Sequence, residues 1–293
     1  MGLPHGATPK SLNHASLFSE NTTFLFSEIT TFLIADFDTL LFSGYTVIAF
    51  SISSCKNDNK VIIPTDCTDV HWSYDGSTDG QDKWVDLCTG YSDCGGQSQS
   101  PINISGAIPD LTLPGLDFNY SSTTTEIENN GHTIEFVCEA GSELTIGTKT
   151  YQLLQFHYHA KSEHQVDGSY HSLEVHFVHK ASDTDYAVVG VFFEPGEENE
   201  LFTEFLAHFP TEKGTYTDTT EINLAGLLPE NKSFYHYSGS LTTPPCSEVV
   251  NWYVLKNEIS ASATQIAQFE GILKNNYRDI RNLNGRTIYS RDE

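Results

Sequence analysis

From about Thr65 onward, short apolar runs, several of them alternating with polar residues, are separated by clusters of Gly, Asp, Ser and Pro. Alternation with a period of two places successive side chains on opposite faces of an extended strand. On that basis HTIEFVC (132–138), YQLLQFHYH (151–159), SLEVHFVHK (172–180), YAVVGVFF (186–193) and VVNWYVL (249–255) predict strands. Helical spacing is best in ENELFTEFLAHF (198–209) and SATQIAQFEGILKNN (262–276). No internal repeat, low-complexity tract or linker breaks this region. The expected fold is α+β and β-dominated, a single domain over residues 65–293 with few peripheral helices.

The first 64 residues read differently. FLFSEITTFLIADFDTLLFSGYTVIAFSISSC (24–55) is apolar but interrupted by Glu28, Asp36 and Asp38, too charged for a comfortable membrane span. Within it, residues 40–52 have the length of a signal-peptide core and are followed by small residues, yet no basic flank precedes them. Residues 1–64 are therefore expected to be an atypical leader or N-terminal extension, with a peripheral amphipathic segment as the alternative.

Charge narrows the partners. Thirty-nine Asp and Glu against 15 Lys and Arg give a formal net charge of −24, which disfavours nucleic acid and anionic membranes. Such an excess is either an ordinary solvated surface or an adaptation to high salt, where a Debye length of about 3 Å at 1 M screens self-repulsion. The six cysteines, at 55, 67, 88, 94, 138 and 246, show no C-x-x-C spacing, so disulfides are the default reading. N-x-[ST] triplets at Asn21, Asn103, Asn119 and Asn231 also suit an oxidising, secretory route. The sequence sets neither an oligomeric state nor a membrane attachment.

Six of the 12 histidines fall between Tyr151 and Lys180. On a strand, Gln155, His157 and His159 share one face while Phe156 and Tyr158 point the other way. In the next run Glu174, His176 and Val178 share a face, so neighbouring strands would bring three imidazoles together. Three neutral imidazoles with an open fourth position suit catalytic zinc, and Gln155 and Glu174 have the chemistry to orient ligand rings. The plain alternative is a polar sheet face without metal. LTTPP (241–245) offers two hydroxyls on a stiff segment, and NNGHT places His132 after a turn-forming Asn-Gly.

These motifs, with HWSYDG near His71, QSPINI (99–104), QFHYHAKSEHQVDG, LEVHFVHK, YSGSLTTPPCSEVVNWYVL and NYRDIRNLNGR (276–286), run in the order found in α-class carbonic anhydrases, and after about Thr65 the chain resembles that family. The resemblance implies a central, twisted, mostly antiparallel sheet. It also implies reversible hydration of CO2 to bicarbonate and a proton by attack of zinc-bound hydroxide. His157, His159 and His176 fall at the family's Zn2+ ligands, and Gln155, Glu174 and the carbonyl of Asn276 at the acceptors that orient them. Thr242, donating to Glu163, falls at the hydroxyl that orients the nucleophile, and His132 at the proton shuttle. Val178, Val188, Leu241, Thr243, Val250 and Trp252 match the substrate pocket for CO2, and Cys94 with Cys246 the disulfide of extracellular members. Cys67 and Cys88 are a plausible second pair.

The short AKSEH loop is as in bacterial and algal members. The acidic, disulfide-bearing composition is most like the salt-tolerant extracellular enzymes of green algae, so a secreted or cell-surface location is expected. Glu135 departs from the family pattern, standing where an amide or small polar residue is usual, and is expected to raise the shuttle's pKa. Ester hydrolysis would be a side activity of the same centre. The alternative class is a metal-free binding module that keeps the fold.

Overall fold

All five alternating runs become strands. The computed structural model describes residues 65–76 and 78–293; the leader expected in residues 1–64 lies outside the described residues. A sheet of 13 strands dominates. Its continuous path uses β1 (Ile108–Pro109), β2 (Ser122–Asn129), β3 (Ile134–Cys138), β4 (Lys149–Ala160), β5 (Leu173–Ser182), β6 (Asp185–Pro195), β7 (Gly214–Asn223), β8 (Phe234–Gly239), β9 (Val250–Leu255) and β10 (Tyr289–Arg291). Their spatial order is β7-β2-β3-β4-β5-β6-β9-β8-β10-β1. Along it the pairs β6–β9 and β10–β1 are parallel and the rest antiparallel. The expected β-dominated, mostly antiparallel architecture is the one observed.

Strand parity sorts the core. Phe156 and Tyr158 of β4 and Leu173, Val175 and Phe177 of β5 enter one large apolar cluster. Two helices cover that face, α2 (Glu200–His208) and α3 (Ala263–Leu273), through Phe202, Phe205, Ile266 and Phe269. Both begin where side chains satisfy free backbone N–H groups. Asn199 accepts from Leu201 and Phe202, while Ser262 and Gln265 form a reciprocal capping box. The opposite face of the sheet carries a second cluster, with Val178, Val188, Phe192, Val250 and Trp252, and it is this face that holds the histidines.

A four-residue helix, α1 (Trp84–Leu87), ends at Cys88, which is bonded to Cys67. A second disulfide joins Cys94 to Cys246. Cys138 is the free cysteine among the described residues, and burial pushes its thiol up to about 12, which leaves it unreactive near neutrality. The alternating pattern did not predict β2 and β7. The reason is composition: β2 reads STTTEIEN, with Thr123 and Thr125 filling buried positions that apolar residues usually take.

Candidate metal centre and active site

Register on the open face of the sheet makes three parallel rows of side chains. Glu135 on β3, His157 on β4, His176 on β5, Gly190 on β6 and Val254 on β9 form one row. Val137, Gln155, Val178, Val188 and Trp252 form the next, and His159, Glu174 and Phe192 the third. Directly opposed residues have Cβ atoms about 4.5–5.5 Å apart, so the register alone draws the imidazoles together. His157, His159 and His176 each offer a ligand atom, all within 4.8 Å of one another.

Two of the other ring nitrogens have partners that choose the tautomer. His157 Nδ1 donates to Gln155 Oε1 at 2.8 Å, and His159 Nδ1 donates to the carbonyl of Asn276 at 2.5 Å. His176 Nε2 lies 3.0 Å from Glu174 Oε1, near in distance but off the line of a well-formed hydrogen bond. Burial holds His157 and His159 below the ordinary imidazole range, and neighbouring rings push His157 further down. The two rings are thereby kept neutral, with Nε2 lone pairs free. His159 Nε2 is buried and has no hydrogen-bond partner, a cost of about 1–3 kcal/mol for a protein with no use for it.

Glu174 is the hub beneath these rings. Its Oε2 accepts from the backbone N–H groups of Glu163 and His164, each at 2.9 Å, and its Oε1 from His164 Nδ1 at 2.7 Å. Burial pulls its carboxyl upward, but His164 and His176 outweigh this and hold it well below the carboxylate range. His164 continues through Nε2 to Tyr237 Oη, and Tyr237 donates to Ser100 Oγ. Glycine at position 190 leaves Glu174 in place, because a Cβ there would sit 2.7 Å from Glu174 Oε1 and that carboxylate would have to shift. The histidine cluster of the sequence thus divides. His164 braces Glu174, His171 pairs with Glu194, and His179 bonds Tyr120 and Ala187.

Glu163 is wholly buried beside the imidazoles. Its Oε1 accepts from the backbone N–H of Arg278 at 2.7 Å, while Oε2 lies 3.6 Å from His159 Nε2 without a hydrogen bond. The bond expected from Thr242 to Glu163 is not among the hydrogen bonds of the described residues, since Oε2 faces the rings of His159 and His176 instead. Thr242 is buried on the segment that ends at Cys246. Arg278, missed in the sequence, reaches Gln99, Ser100 and the carbonyl of Cys94 with its guanidinium. No spacing rule links residues 115 positions apart.

The apolar row beside the histidines places Val178, Val188 and Trp252 together, with Val250 buried and Leu241 packed against them. The indole of Trp252 stands edge-on to His176 at 4.8 Å between centroids. Thr243 is half-buried, and its carbonyl accepts from Cys246. His132 lies apart from the three histidines, stacked on Trp72 at 3.7 Å, in a cavity of about 360 Å³ that Asn276 also lines. Burial, with Lys213 and His71 nearby, lowers its pKa to about 4. The upward shift expected from Glu135 is therefore overturned. Glu135 sits in the row of His157, and its own carboxyl is raised by burial and by Glu128.

Comparisons with known proteins identify the family and the fold. The model of the eukaryotic-type carbonic anhydrase family matches residues 79–292. A carbonic anhydrase of Pectobacterium atrosepticum is 40% identical over 222 residues, covering 75% of this chain and 90% of the relative. A hyperthermostable carbonic anhydrase from an active hydrothermal vent chimney superposes with a TM-score of 0.73 at 40% identity, covering 76% of this chain and all of its own. The α-carbonic anhydrase of Thermovibrio ammonificans, solved with the inhibitor sulfanilamide, gives 0.72 at 39% identity over 75% of this chain and 99% of its own. With the family model spanning most of its length, this chain belongs to the α-class, eukaryotic-type carbonic anhydrases, enzymes that interconvert CO2 and bicarbonate.

Proposed function

We propose that residues 65–293 are a catalytic domain that hydrates CO2 at a zinc ion held by His157, His159 and His176. The observation that carries this is the set of three ligand atoms within 4.8 Å, on rings whose other nitrogens face acceptors. Neutral imidazoles suit zinc, and three protein ligands leave a tetrahedral ion one open position. When bound, zinc supplies a Lewis acid that brings water's pKa into the neutral range, chemistry for which this enzyme family is itself the standard example.

The chain's own groups do the rest. Gln155, Asn276 and Glu174 hold the rings in orientation. The free Oε2 of Glu163 is an acceptor suited to commit the Thr242 hydroxyl as donor, which leaves that oxygen to receive a hydrogen bond and orient the nucleophile. Val178, Val188, Leu241, Thr243, Val250 and Trp252 give weakly polar CO2 an apolar seat and exclude competing water. His132 carries the product proton outward. Stopped-flow CO2 hydration on protein as prepared, stripped of zinc, and reconstituted tests the reading: turnover should vanish and return with the metal. Zinc-loaded, folded protein without turnover would make the fold a binding module.

The two disulfides support an oxidising compartment, which suits a secreted or cell-surface location. The net charge of −24 supports a saline setting. The melting temperature should then rise from dilute to molar NaCl as carboxylate repulsion is screened. A flat or falling curve would leave only an ordinary acidic surface.

A further inference from the structure

We propose that His71, held by Asp79, is a second proton acceptor on the solvent side of the cavity that holds His132 and receives the proton that His132 takes from the reaction. The proposal rests on the zinc-dependent hydration read above and extends its proton path beyond His132.

The segment carrying His71 is built to be rigid. Cys67 is bonded to Cys88 at the end of α1, and Trp84 Nε1 donates to the carbonyl of Ser73 at 2.9 Å. Trp72 packs edge-on against Trp84 and Tyr74, with centroids 5.1 and 5.4 Å apart, and stacks on His132. The neighbouring residue is thereby placed beside the shuttle. The ring centroids of His71 and His132 are 6.1 Å apart, and both rings line the same cavity of about 360 Å³. Rings spaced this far apart do not hydrogen-bond directly, and the cavity between them has room for a relaying water. His132 is half-buried there, whereas the His71 side chain is 68% exposed, so the path runs from the interior toward bulk solvent.

Asp79 decides which nitrogen of His71 is the base. Its Oδ2 lies 2.7 Å from His71 Nδ1, and its Oδ1 accepts from Ser73 Oγ at 2.9 Å. Hydrogen bonds from His71 and Ser73 hold the Asp79 carboxyl below its ordinary value, so it is a carboxylate and can only accept. Nδ1 of neutral His71 therefore carries the hydrogen, and Nε2 presents the lone pair. His132 in its stacked position holds a proton weakly, because of burial and of Lys213. An adjacent base with a fixed acceptor nitrogen removes that proton before it returns.

The step balances. The N–H bond of the His132 imidazolium breaks and its electron pair stays on that ring; a new N–H forms at His71 Nε2, through one water; the positive charge then faces the Asp79 carboxylate. His71 next donates the proton to a buffer base in solvent. The other charged groups lining the cavity are Asp75 on the same segment and Glu212, Lys213 and Lys274 opposite. The lysines favour passage of the cationic charge toward Asp79 rather than past them.

The test uses the full, zinc-loaded chain, with CO2 hydration followed in dilute and in concentrated buffer. For His71→Ala, kcat in dilute buffer is expected to fall several-fold while kcat/KM, which ends before proton export, stays level. Added imidazole should restore kcat, and Asp79→Asn should give a smaller fall. Nitrogen-15 spectra of the histidine rings at alkaline pH should show His71 as the Nδ1–H tautomer, lost in Asp79→Asn. Unchanged kcat in His71→Ala, a parallel fall of kcat and kcat/KM, or an Nε2–H tautomer in the parent protein would each overturn the proposal. Failure of the underlying reading looks different, since the parent protein itself would then hydrate no CO2.

Discussion

His159→Ala is expected to leave the protein folded but unable to retain zinc, with kcat/KM lower by several orders of magnitude. His159 is 1% exposed, and its Nδ1 bond to Asn276 aims Nε2 into the centre. Alanine removes one of the three proposed protein ligands from an ion that prefers four, leaving two where even an open catalytic site uses three. It also strands the buried Oε2 of Glu163 beside an empty volume. Metal content after dialysis, by atomic absorption, is the direct measure: one zinc per chain in the parent and none in the variant. Gly190→Ala should fall between them. Its methyl group displaces Glu174, which positions ligands without being one, and such partners are worth about 10–100-fold in metal affinity. Full zinc retention in His159→Ala would mean that the metal sits elsewhere, the nearest alternative being His164, Glu174 and His176.

The second large effect is expected from the paired substitution Cys94→Ser and Cys246→Ser. These cysteines are 152 residues apart in sequence. Chain entropy makes such a closure worth about 5 kcal/mol, against about 3 kcal/mol for a loop of some twenty residues such as that between Cys67 and Cys88. Urea unfolding should therefore show a clearly larger loss for the first pair than for Cys67→Ser with Cys88→Ser. The active site should suffer too. Gln99 donates to the carbonyl of Cys246, and Arg278 to that of Cys94, while the backbone of Arg278 holds Glu163. Opening the bridge loosens the Thr242 segment and the Glu163 anchor together, so kcat/KM should fall even where the variant remains folded. Equal losses from the two pairs would deny the longer bridge its bracing role.

Much of this was legible along the chain because the signals are local. Alternation in YQLLQFHYH and SLEVHFVHK sends Phe156, Tyr158, Val175 and Phe177 to one face and the ligand candidates to the other, and both faces are as expected. The helix at 263–273 was readable because Ile266, Phe269 and Leu273 recur at helical spacing and fall on its buried face. The strand at 122–129 was hidden because threonines occupy its buried positions.

The chain's local order thus determined the strands, their faces, the residue types of the candidate centre and, through ordered motifs, the family. Only tertiary structure decided which neighbours those faces meet. It set the register opposing His157 to His176, the close approach of Gly190 to Glu174, the anchoring of Glu163 by Arg278, and the stack of Trp72 that fixes His132 beside His71. The physical reason is range: side-chain periodicity is written into a few consecutive residues, whereas these contacts join segments tens to more than a hundred residues apart and exist only once the sheet has closed its register.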